Sequence, residues 1–231
     1  MKDQIHYIAF DADDTLWNNE PFFRATEERF SNLMHPFASN QESKNKLFEK
    51  EVANIPLYGF GIKGFVLSMM ETAAEITNDN LSAEMVQQII AFGKEMLTMP
   101  VELLPGVQEV LKTLSGHYRL IVATKGDLLD QERKLEKSGL LPYFHHIEVM
   151  SDKKRNNYLA LLNHLDCKPE NFLMIGNSLK SDIQPVIELG AYAFHIPHHT
   201  TWQHEELDKP FTHPRLKSFR TINEILPLLE R

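Results

Sequence analysis

The sequence predicts an α/β fold, a doubly wound sheet of mainly parallel strands interrupted by an all-helical insertion. Three observations predict it. Short apolar runs rich in β-branched and aromatic residues recur along the chain, helical patterns alternate with the later ones, and residues 17–100 carry helical patterns without a convincing strand.

Residues 5–10 read as the first buried strand. Amphipathic helical patterns then cover residues 22–34, 64–76 and 82–97, flanked by Asn18 and Asn19 on one side and by the 100–105 stretch, proline at both ends, on the other. That organisation predicts an α/β core built from 1–16 and 101–231, and a helical lid from 17–100. Beyond the lid, helices at 106–115, 128–138, 157–165 and 183–189 alternate with strands at 118–123, 146–150, 172–175 and 192–196. Gly139 and Gly190 stand where helices end. From about His198 the chain reads as loop until a short helix near 222–229. In such a sheet a ligand site is expected at the carboxyl ends of the strands.

Composition bounds the function. With 42% hydrophobic and 24% charged residues the chain can bury a core. A formal charge of -8 argues against sequence-independent binding to nucleic acid, which needs clustered Lys and Arg. No apolar run is long enough for a membrane helix, and no charged start leads into an apolar signal core, so the expected compartment is the cytoplasm. The single cysteine, Cys167, has no intramolecular disulfide partner and reads as an ordinary surface or boundary residue. Eleven histidines, several of them near the C-terminus, come without HExxH or paired Cys/His spacing, so loop positions explain them better than a transition-metal site.

The residues that could do chemistry follow the strands. After the first comes Asp11-Ala12-Asp13-Asp14-Thr15, three carboxylates that repel one another unless a cation neutralises them or they point apart; capping of the next turn and helix is the alternative use. The second strand leads into Thr124-Lys125-Gly126-Asp127, a hydroxyl and a turn whose N–H groups can hold an anion. The third leads into Ser151-Asp152-Lys153-Lys154. The fourth leads into Gly176-Asn177-Ser178-Leu179-Lys180-Ser181-Asp182, with oxygen ligands at both ends of a turn. In the insertion, residues 58–65 combine glycines, aromatics and Lys63, which makes Lys63 and Phe60 candidate substrate contacts unless the glycines serve only a tight helix-to-helix turn. Arg24 and Glu20 are weaker candidates.

These four segments resemble, in order, the four motifs of the haloacid dehalogenase superfamily, and the insertion is similar to the helical cap of its C1 class. The resemblance implies a Rossmann-like core and a phosphatase that uses Mg²⁺. In it Asp11 is the nucleophile that is transiently phosphorylated, Asp13 the general acid/base, Thr124 the motif-two hydroxyl, and Lys153 or Lys154 the motif-three lysine. The spacing from Lys153 to Tyr158 resembles that seen in relatives and favours Lys153. Asp11, the backbone carbonyl of Asp13, Asn177 and Asp182 are the implied metal ligands, while Lys125 and Gly126 are expected near the substrate. Asn177 departs from the aspartate most often found there and brings no charge, which implies somewhat weaker metal binding. A carboxylate at Asp13 favours a phosphatase or phosphotransferase over a dehalogenase, which has no leaving alcohol to protonate. The expected partner is a small phosphorylated metabolite, and the chain is expected as a monomer or homodimer. A mutase, or a weakly active member that binds a phosphorylated ligand, is the alternative.

Overall fold

A computed structural model describes residues 2–207 and 209–230. In chain order the elements are β1 (Tyr7–Phe10), α1 (Glu20–Met34), α2 (Asn40–Tyr58), α3 (Ile62–Ile76), α4 (Ala83–Thr98), α5 (Val107–Leu114), β2 (Arg119–Lys125), α6 (Leu128–Ser138), β3 (His146–Met150), α7 (Arg155–His164), β4 (Phe172–Gly176), α8 (Gln184–Ile187), β5 (Tyr192–His195), β6 (Leu216–Ser218) and α9 (Leu226–Leu229). They fall into two compact units, one of Met1–Glu20, Val101–Lys125 and Gln131–Arg231, the other of Pro21–Pro100 and Gly126–Asp130.

The first unit holds a six-stranded sheet in the order β3-β2-β1-β4-β5-β6, with every neighbouring pair parallel. Alternation along each strand sorts its side chains onto two faces. Ile8, Phe10, Val122, Leu173 and Ile175 pack with Val107, Val110, Leu111 and Leu114 of α5, while Tyr7, Ala9, Ile121, Ala123 and Met174 pack with Tyr158, Leu161 and Leu162 of α7 and with Val186 and Ile187 of α8. Both faces are thus covered, which is why the inner strands β1 and β4 are buried at every residue and read as continuous apolar runs. β1 is central, with β2 on one side and β4 on the other. The direction of winding reverses there, and a crevice opens beyond the strand ends at such a reversal.

In the second unit α1, α3 and α4 bury one apolar stripe each, including Phe30 and Met34, Phe65 and Met69, and Ile89, Phe92 and Met96, and α2 adds Leu47. Two elements escape the sequence pattern. α2 buries only Ser43, Leu47 and Asn54 and contains Pro56, so its apolar period is faint; Ser39, which accepts from the Glu42 amide, is the helix-start signal that marks it. β6 has three residues, two of them exposed, too few for a period to show. The predicted helix at 183–189 is instead a π-helical turn, Leu179–Ile183, running into the four residues of α8.

Candidate active site

The sheet register sets the site. Phe10 is paired with Val122 and with Ile175, so the chain leaves β1 at Asp11 level with the end of β4, while β2 runs on to Lys125. The Asp11 amide donates to the Ile175 carbonyl at 2.9 Å, which fixes the start of the turn. The Lys153 ammonium, supplied just beyond β3, bonds Asp11 Oδ1 and lies 2.7 Å from Asp182 Oδ1. All three groups are buried. The Thr15 hydroxyl lies 3.1 Å from Asp11 Oδ2 and 3.3 Å from Asn177 Oδ1, joining the first and fourth segments. Asp182 is held from its other oxygen by the Ser178 amide at 2.9 Å. This close return requires glycine at 176, because a Cβ there would meet Asp182 Oδ2 at 2.3 Å. Thr124 is buried near the end of β2. Lys154 turns away, its largely exposed ammonium 2.7 Å from Asp152.

The acidic triplet divides its work. Asp14 adopts a left-handed φ of 63° and accepts from the amides of Asn19 and Glu20 at 2.9 and 3.0 Å, so it caps the start of α1. Asp13 is held by Trp17 Nε1 at 2.7 Å, Gln131 Nε2 at 2.8 Å and Lys134 Nζ at 2.6 Å. Gln131 and Lys134 are three apart on α6 and therefore share a face. Neither stood out in the sequence, where one more polar pair on a helix carries no mark.

Lys125 bonds the carboxylate of Glu205 and lies 3.0 Å from Ser181 Oγ. Glu205 is largely buried and also accepts from Ser178 Oγ at 2.6 Å and from Ser181 Oγ. No sequence pattern announces it, since it sits in a loop outside every motif. Gly126 follows β2 with φ 137°. In the helical unit, Lys63 pairs with Asp127 at 2.9 and 3.0 Å, and Phe60 is half-buried. His195 bonds the Asn177 carbonyl at 3.0 Å. Burial pushes the Cys167 thiol up to about 11, which suits an inert side chain.

Electrostatics separate these carboxylates. Burial, reinforced by Asp182 and Asp13, pushes Asp11 up to about 7 against the pull of Lys153. Burial acts the same way on Asp13, but the charge of Lys134 and the bonds from Lys134, Gln131 and Trp17 outweigh it and hold that group below its ordinary value. Burial also opposes ionisation of Glu205, yet Lys125 and the two serines hold it at about 2. The Glu205 shift fixes a sign. A carboxyl lowered from 4.5 to about 2 contributes stability that is complete above pH 4.5 and lost as pH falls towards 2. Glu205→Gln is therefore expected to cost about 3 kcal/mol near neutrality, with the gap to wild type closing in acid. Denaturant unfolding at several pH values measures it, and a pH-independent gap would count against the ion pair as the cause.

Two carboxylates sharing one ammonium, with an amide oxygen beside them, form a hard-oxygen donor set with negative charge left to balance. That suits Mg²⁺. Among the described residues no group of three or more His, Cys, Asp and Glu side chains gathers to hold a metal, so the fit rests on Asn177 and a backbone carbonyl joining Asp11 and Asp182. Also among the described residues, no helix is long and apolar enough to cross a membrane.

A family model described as haloacid dehalogenase-like hydrolase matches residues 5–190, a span that takes in all four strand-end segments. The chain belongs to the haloacid dehalogenase-like hydrolases. A hydrolase of this family from Xanthomonas campestris is similar to it in structure, with 34% identity, a TM-score of 0.86, and coverage of 98% of this chain and 92% of that one. A predicted phosphoglycolate phosphatase from Haemophilus somnus 129PT has 19% identity and a TM-score of 0.65, with 98% and 99% of the chains covered. The 2-haloacid dehalogenase from Pseudomonas syringae pv. Tomato DC3000 has 18% identity and a TM-score of 0.63, with 97% of each chain covered. None of the curated proteins matches. Phosphatase and dehalogenase share this fold, so the reaction of this haloacid dehalogenase-like hydrolase has to be argued from its own side chains.

Proposed function

We propose that the chain is a Mg²⁺-dependent phosphatase that hydrolyses a small phosphomonoester through an aspartyl phosphate on Asp11. The observation that carries this reading is the pair of carboxylates two residues apart in different surroundings, Asp11 beside Lys153 and Asp182 at the strand end and Asp13 held by Lys134, Gln131 and Trp17. A dehalogenase has a halide as leaving group and no use for the second carboxylate.

Asp11, the Asp13 backbone carbonyl, Asn177 and Asp182 would hold Mg²⁺. Bound there, the ion would supply positive charge to the phosphoryl oxygens and to Asp11. A carboxylate oxygen of Asp11 forms a bond to phosphorus as the bond from phosphorus to the leaving alcohol breaks, and Asp13 gives that alcohol its proton. Asp13, now a carboxylate, takes a proton from water as the water oxygen attacks phosphorus. Breaking the bond between phosphorus and Asp11 then returns the free side chain and inorganic phosphate, with the proton back on Asp13. Lys153 and the Thr124 hydroxyl meet the equatorial oxygens, where transition-state charge gathers. Lys134 and Gln131 keep Asp13 in the base form needed by the second half-reaction, so the acid form requires the Lys134 contact to loosen. The helical unit is proposed as a C1-type cap, with Lys63 and Phe60 as its specificity residues.

Incubation with p-nitrophenyl phosphate, acetyl phosphate and a panel of phosphorylated metabolites tests the reading. Mg²⁺-dependent phosphate release is expected from at least one of them, and no halide release from 2-chloropropionate. Inert phosphate esters throughout the panel, or halide release, would overturn it. Asp13→Ala is expected to slow turnover roughly 10²- to 10⁴-fold, with the smallest loss on substrates whose leaving group needs no proton. An equal loss on p-nitrophenyl and alkyl phosphates would remove Asp13 from proton transfer.

A further inference from the structure

We propose that Glu205 is a positioning residue for the metal-binding turn, holding residues 177–182 in place and cancelling the charge of Lys125 beside them. The inference rests on the metal site proposed above. Both side-chain ligands of the fourth segment, Asn177 and Asp182, lie at the ends of one short turn, and its second half is π-helical. A π-helical turn departs from the regular α-helical ladder and depends on outside contacts to keep its shape. Glu205 provides them. Its Oε2 accepts from the hydroxyls of Ser178 and Ser181, while Ser178 Oγ accepts from the Ser181 amide at 3.0 Å and the Ser178 amide holds Asp182. The neighbouring backbone joins the same arrangement, because Lys180 donates to the His204 carbonyl.

The charge is arranged as carefully as the shape. Lys125 lies against Ser181, one residue from Asp182, and an uncompensated ammonium there would oppose a divalent cation. Glu205 neutralises it. In this arrangement the Lys125 ammonium bonds both Glu205 and Ser181.

Isothermal titration calorimetry with Mg²⁺ alone tests this on the full chain without a substrate. Glu205→Gln is expected to raise the Mg²⁺ dissociation constant roughly 10-fold, in the range that outer-shell partners of metal ligands command. Adding Lys125→Met to Glu205→Gln removes the positive charge that Glu205 balanced and is expected to recover most of that loss. A purely structural role predicts the opposite, a double variant no better than the single one. An unchanged constant in Glu205→Gln overturns the proposal, as does a double variant that binds as weakly as the single one. Should Glu205→Gln melt below the assay temperature, Glu205→Asp keeps the charge balance while shortening the reach, and it must still weaken binding. The two readings fail separately. Metal binding that responds as expected in a protein inert to every phosphate ester sinks the phosphatase and leaves the clamp, whereas a wild-type chain that takes no Mg²⁺ overturns both.

Discussion

Asp11→Asn is expected to lower turnover of any phosphate ester by on the order of 10⁵-fold, the scale on which enzymes lose activity when a covalent nucleophile is removed. The amide is nearly the same shape but a poor nucleophile, and acid-quenched protein should no longer retain phosphoryl label from acetyl phosphate. Loss of activity by itself would also follow from unfolding, so stability separates the two causes. Asp11 is pushed up to about 7 in the fold against an ordinary value of 3.8. Between those values the native chain holds a proton that the unfolded chain has released, so stability falls as pH rises through that window. Asn does not titrate. The metal-free variant should therefore melt no lower than wild type at about pH 8, with any advantage shrinking below pH 4. Retained turnover would remove Asp11 as the nucleophile, and a large drop in melting temperature would show that the side chain is needed for folding.

The sheet and the site were legible to different depths. β1 and β4 stand out because burial on both faces makes them continuous apolar runs, and the positions at their ends carry the chemistry, so the first and fourth segments show in the sequence. Asp11, Lys153, Asn177 and Asp182 meet through Thr15 and the shared lysine because parallel pairing puts the carboxyl ends of all these strands on one edge of the sheet. What escaped are residues whose meaning exists only in three dimensions. Lys134 is an ordinary lysine on a polar helix until α6 turns it to Asp13, and Glu205 is one acid in a loop until that loop reaches Ser178, Ser181 and Lys125. The triplet of acids could be noticed but not apportioned, because capping by Asp14 depends on the left-handed turn that brings the Asn19 and Glu20 amides to it. Side-chain identity at a strand end is local information, whereas a partner distant in the sequence is not.

Lys153→Met is expected to have the second largest effect, on activity and stability together, because one ammonium serves two buried carboxylates. Burial alone would drive the lysine towards neutrality, but Asp11 and Asp182 hold it well above its ordinary value, so the charge is kept in place by the same groups it neutralises. Methionine fills similar volume without charge and leaves Asp11 and Asp182 facing each other unpaired. Breaking a buried pair in this way costs roughly 3–5 kcal/mol, measured by denaturant unfolding without metal near neutrality. The penalty should shrink in acid, where Asp11 takes up a proton readily, and shrink again with Mg²⁺, which replaces part of the lost positive charge. Turnover should fall roughly 10²- to 10³-fold, the loss typical when one fixed donor to the transition state is removed. Lys154→Met is the matched control, since that side chain is 78% exposed and reaches only Asp152, and surface changes of this kind stay within about 0.5 kcal/mol. Equal damage from the two substitutions would mean that charge anywhere in the segment suffices. A stability loss in Lys153→Met that neither acid nor Mg²⁺ relieves would point to packing, and the shared ammonium would no longer explain how two carboxylates are kept side by side inside the protein.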